Sequence, residues 1–87
     1  MINMINETGV IFTEELKKVE ADFPDVSLSS RGYDWAYGET LLFLDAIPDA
    51  TEKDLRRECR LSILKSILLD QQAKRTIIYG SEHSFGE

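Results

Sequence analysis

Three large aromatic side chains, Tyr33, Trp35 and Tyr37, stand two residues apart. On a strand all three point to the same side. Rings with a polar end bury much area at little entropic cost and are enriched at interface hot spots. With Asp34 and Glu39 beside them they would form an aromatic and acidic surface suited to a protein partner. The competing use is to cap the hydrophobic core, which a chain of 87 residues needs large side chains to fill. A stacking platform for single-stranded nucleic acid needs a basic groove. Only Arg31 lies within residues 25–39, against Asp25, Asp34 and Glu39.

A second pattern is basic. Lys53, Arg56, Arg57 and Arg60 follow the spacing i, i+3, i+4, i+7, which places them on one helical face. Such a face can contact phosphates or an acidic partner. It can equally pair with its own helix: Glu52 precedes Arg56 by four, Asp49 precedes Lys53 by four and Asp54 precedes Arg57 by three. Each such pair stabilises a helix by about 0.2–0.5 kcal/mol, enough to account for the composition.

Reactive groups are few. Asp45 sits in an apolar run and is the best candidate for a perturbed carboxylate. Cys59 lies mid-helix, where a small packing role suits it. His83 is the only histidine, and metal sites want three or four clustered ligands. The sequence has no nucleophile elbow, no phosphate loop and no dinucleotide fingerprint. The expectation is a protein that is not an enzyme and carries no cofactor or metal.

Charge sharpens that expectation. Acids number 16 and bases 10, a net charge of −6. Residues 1–50 carry −7 and residues 51–87 carry +1. An acidic surface disfavours phosphate backbones and anionic membranes and speeds encounter with basic protein clefts, as in acidic inhibitors, antitoxins and immunity proteins. A single cysteine fits a reducing cytoplasm. No apolar run approaches the ~18 residues of a membrane span, and the start, MINMINETGV, lacks the pattern of a secretory signal. The function expected is a cytoplasmic protein-binding regulator or inhibitor of bacterial or phage type, acting through Tyr33, Asp34, Trp35, Tyr37 and Glu39. The alternative is a nucleic-acid-associated dimer using Lys53, Arg56, Arg57 and Arg60. Exposed edge strands near 26–30 or 76–79 leave a homodimer open.

These side chains need elements to hold them. Phe12, Leu16, Val19 and Phe23 share a helical face, Thr13 offers an N-cap and Pro24 ends the segment, giving a helix over about 13–22. Val26 and Leu28 alternate with serines and open a strand, which the aromatics either extend to about 37 or follow as an aromatic-rich loop. The run Thr40 to Ile47 reads as a buried central strand. Asp49 with Glu52, or Thr51 with Asp54, would cap a helix over about 51–71. Thr76 to Tyr79 reads as a last strand. The order helix, strand, strand, helix, strand implies a small single-domain α+β two-layer sandwich with a three-stranded mixed sheet. A flexible leader (1–8) and tail (81–87) would flank the domain at 9–80.

Overall fold

The computed structural model describes the backbone of residues 4–86 and the side chains of residues 7–73. It is made of three helices: α1 (Met4–Asp22), α2 (Ser30–Ala46) and α3 (Glu52–Gly86). No strand occurs among the described residues, so the α+β sandwich is corrected to an all-helical bundle. The strand expected from 26 to about 37 is instead the connection before α2 and the first half of that helix. Residues 40–47, expected as a second strand, fall in α2 and its C-cap, and 76–79 lie within α3.

The first helix starts earlier than its cap signal. The Thr13 hydroxyl donates to the Gly9 carbonyl at 2.9 Å, one turn back, so this residue is interior and not a cap. Residues 4–8, expected as a frayed leader, belong to α1, and Thr8 is fully buried. Phe12 and Val19 face the core as their spacing implies, whereas Phe23 sits beyond the helix end and is half exposed. The segment 81–86, expected as a tail, continues α3.

The second helix explains the failed strand reading. Ser29 is its N-cap, with extended backbone, and its hydroxyl accepts from the Gly32 N–H at 2.9 Å. Gly32, Ala36, Thr40 and Leu44, four apart, form its buried face. That period belongs to a helix and is absent from a strand. Tyr33, Trp35 and Tyr37 together fit a strand's period of two, while on the helix only Tyr33 and Tyr37, four apart, share a side, which is why the alternation misled.

At the start of α3, Thr51 and Asp54 close a reciprocal cap. The Asp54 N–H donates to the Thr51 hydroxyl at 3.1 Å, and the Thr51 N–H donates to the Asp54 carboxylate at 3.2 Å. This is one of the two expected pairs, with Asp in the place usually held by Glu.

Contacts fix the directions. Ser29 meets Asp70 and Gly32 meets Ser66, so α2 runs antiparallel to α3. Phe12 meets Tyr33 and Tyr37, so α1 packs on α2, and two short connections reverse the chain twice. Hence α1 and α3 run the same way, as in an up-down-up bundle. The two seams on α2 are unlike. Towards α3 it presents Gly32, Ala36 and Thr40, and the buried residues of α3 include Cys59, Ser62 and Ser66. Small residues allow close approach, close enough for the Ser66 hydroxyl to donate to the Gly32 carbonyl at 2.6 Å. Towards α1 it presents two tyrosines. Phe12 packs edge-on against both, with centroids 5.0 and 5.3 Å apart.

Two glycines of α2 should respond oppositely to alanine. A Cβ on Gly32 would stand 2.9 Å from the Asp70 carboxylate and 3.0 Å from both Leu28 and the Ser66 hydroxyl. Overpacking of this kind costs about 1–3 kcal/mol, against about 1 kcal/mol gained in helix propensity. Gly32→Ala should therefore lose about 1 kcal/mol net. Among the described residues a Cβ on Gly38 meets nothing within 4 Å beyond its own turn of helix, and its φ is not positive. Gly38→Ala should gain about 0.5–1 kcal/mol. Thermal melts of the two variants at low protein concentration check both signs.

Candidate functional site

The outward side of α2 is the first site candidate. Arg31, Trp35, Gly38, Leu42 and Asp45 recur at intervals of 4, 3, 4 and 3 residues, opposite the buried face. Trp35 is 39% exposed and Leu42 62%. Beside Trp35 lies a groove of about 300 Å³ between α2 and α3, lined by Arg31, Gly32, Ser66, Leu69, Asp70 and Ala73. Leu69, 48% exposed, forms its far wall. Apolar surface gathered at a concave place between helices is where recognition usually occurs.

The helix divides the expected aromatic set. Tyr33 and Tyr37, four apart, turn inward, stacked at 6.2 Å with an interplanar angle of 15° and packed on Phe12. They serve the core. Trp35 faces the other way and stays at the surface with Asp34, while Glu39 is partly covered. Leu42, Leu69 and Gly38 were not expected at a site. The signal for Leu42 and Gly38 was the 4–3 spacing on α2, which has meaning only once the segment is a helix, whereas Leu69 on α3 had no signal in the sequence.

The arginine face is the second candidate. Lys53, Arg56, Arg57 and Arg60 line a cleft of about 410 Å³ with Glu52. Two of the pairs within the helix form: Arg56 to Glu52 at 3.0 Å and Arg57 to Asp54 at 3.1 Å. The stronger feature comes from α1. Glu15, wholly buried, accepts from Arg56 Nη1 at 3.0 Å, Arg60 Nη2 at 3.0 Å and Lys18 Nζ at 3.2 Å. Arg56 also donates to Glu14 at 2.9 Å. Three carboxylates and three cations thus balance in one network spanning α1 and α3.

Burial pushes the Glu15 carboxyl upward, but the bonds from Arg60, Arg56 and Lys18 together outweigh it and hold it below its ordinary value. Arg56 is raised further above its own high value by its bonds to Glu15, Glu14 and Glu52. Two of the four basic residues are therefore committed to holding α1 on α3. A phosphate would have to compete with a carboxylate already in place.

The other reactive candidates divide simply. Cys59 is buried in the core, and burial pushes its thiol up to about 11, which leaves it a neutral packing group. Asp45 is exposed, so the buried central strand expected around it is replaced by a helix edge. His83 lies outside the described side chains. The Ser66 hydroxyl is occupied by Gly32, and Ser62 donates to Glu58 at 3.4 Å.

Among the described residues no group of three or more His, Cys, Asp or Glu side chains could hold a metal ion, and no helix is long and apolar enough to cross a membrane. No family model, no curated protein and no solved structure matches the chain.

Proposed function

We propose that this chain is a non-enzymatic protein-binding module, a cytoplasmic regulator or inhibitor that docks through the outward side of α2 and its groove against α3. The observation that carries this reading is Trp35, an aromatic anchor left open beside Leu69 and in line with Leu42. Anchors of this type dominate binding energy when a partner dries them. Asp34 on the same helix supplies an acidic rim, in keeping with the net charge of −6.

The test uses Trp35→Ala and Leu42→Ala. Leu42 is mostly exposed and Trp35, though partly covered, is not among the core residues, so each change should cost less than about 2 kcal/mol in thermal melts. Each variant and the native chain are immobilised and exposed to lysate of the source organism. A protein retained by the native chain and lost from both folded variants supports the reading. A protein retained equally by all three places the docking surface elsewhere and ends this reading.

A further inference from the structure

The outward stripe of α2 is self-complementary, and we infer that its occupant is a second copy of this chain, docked with the two α2 helices antiparallel about a two-fold axis near Gly38. The inference rests on the reading of this face as a docking surface and names the partner.

Three observations converge. The 4–3–4–3 spacing of Arg31, Trp35, Gly38, Leu42 and Asp45 is that of a two-helix seam, yet in the single chain it lies opposite the buried face of α2. The stripe is also symmetric about its middle in a chemical sense. Trp35 and Leu42 lie three and four residues either side of Gly38, and Arg31 and Asp45 lie seven either side. Antiparallel pairing sets Trp35 of one copy against Leu42 of the other, twice, and Arg31 against Asp45, twice. This is the isologous pattern that a two-fold axis requires, residue i meeting j and j meeting i. The two ends of the stripe thus carry opposite charges, Arg31 at one and Asp45 at the other, and each end meets its complement in the second copy.

The third observation is Gly38 itself. Glycine in a helix interior is unfavourable, and elsewhere in α2 it has a reason: Gly32 lets α3 approach. Gly38 is itself only partly exposed, but among the described residues nothing beyond its own turn of helix lies within 4 Å of where a Cβ would be. A missing side chain at the centre of an exposed seam allows a second backbone to come close. Beside it, Leu69 widens the apolar area at the Trp35 end. One helix pair with this flank covers less than the roughly 800 Å² per partner of a standard interface, so the dimer should be concentration-dependent in the micromolar range.

Sedimentation equilibrium of the full chain between about 1 and 500 μM brackets that range. The native chain should pass from monomer to dimer. Arg31→Glu sets a second carboxylate against Asp45 and should weaken the dimer at least about tenfold. Asp45→Arg, which sets two guanidinium groups together, should do the same. Combining both changes in one chain restores the pairing with reversed sign and should recover the native constant to within about threefold. Gly38→Ala should raise the melting temperature of the monomer and weaken the dimer. Both charged positions are exposed, so folding is not at stake, and circular dichroism verifies it. A native chain that stays monomeric throughout overturns the inference. So does a dimer that Arg31→Glu leaves unchanged, or one that the double change fails to restore. The docking reading stands or falls separately: a monomeric native chain that still captures a protein through Trp35 keeps that reading and removes the second copy.

Discussion

Phe12→Ala should cost about 3–5 kcal/mol, the largest single loss among apolar changes at the described side chains. The reason lies in how α1 and α2 are held. Their seam is built of rings, with Phe12 wholly buried against Tyr33 and Tyr37. Removing the ring leaves a cavity that the seam cannot close, because the two tyrosines are fixed on one helix and stacked on each other. Phe12→Leu separates the contributions. It keeps most of the volume but forfeits two edge-to-face contacts, each worth about 0.5–1.5 kcal/mol, so a loss of about 1–2 kcal/mol is expected. Urea titrations give both values, and the tyrosine signal in near-ultraviolet circular dichroism should weaken in the alanine variant. If Phe12→Ala lost under about 1 kcal/mol, the seam would be collapsible and the core would not depend on it.

The position of Phe12 was readable from sequence, since the spacing of Phe12, Leu16 and Val19 marks a helical face. So was the start of α3, where Thr51 and Asp54 carry a cap that works locally. What α2 would become was not legible from its aromatics. Tyr33, Trp35 and Tyr37 satisfy a period of two, and Gly32 and Gly38 read as breaks. The deciding pattern, Gly32, Ala36, Thr40 and Leu44, consists mostly of small residues, which carry little hydrophobic signal. Their value appears only when Cys59, Ser62 and Ser66 bring α3 close. A helix with two interior glycines is poor by propensity and is selected here by tertiary packing. The apolar run of residues 40–47 failed for a related reason: Leu41 and Leu42 are exposed, so the run was never a buried segment.

The site was legible in part. Whether the aromatics would be core or surface was open in the sequence; Trp35 and Asp34 lie at the surface, while Tyr33 and Tyr37 went to the core. The local pairing of the arginine face was visible in sequence, because Glu52 and Asp54 are its helical neighbours. Glu15 was not. In sequence it is an ordinary acid in an early helical turn, and its meaning comes from Arg56 and Arg60, more than forty residues away.

Glu15→Gln should destabilise the protein by about 2–3 kcal/mol at neutral pH, nearly isosteric though the change is. Removing one partner of a buried ion pair costs about 3–5 kcal/mol where the other is left without water. Here the arginines keep some recourse: Arg56 retains Glu14 and Glu52, and Arg60 is about half exposed. The expectation therefore falls below that range, and at about 4–8 °C per kcal/mol the melting temperature should drop by roughly 10–20 °C. The pH dependence identifies the cause. The folded-state pKa of Glu15 is lowered from its ordinary value of 4.5, so as the solution is acidified the unfolded chain takes up this proton before the folded one. Its contribution is then complete above that ordinary value and is lost as pH falls through the lower folded value. Other carboxylates also weaken the fold in acid, but they are common to both proteins. The difference in stability between native and Glu15→Gln chains isolates this one group. It should be constant from neutral pH down to about pH 5 and then shrink towards pH 3. A difference that held constant down to pH 3 would mean that the carboxylate charge of Glu15 contributes nothing, and that α1 is held on α3 by its apolar residues and the Arg56–Glu14 pair without it.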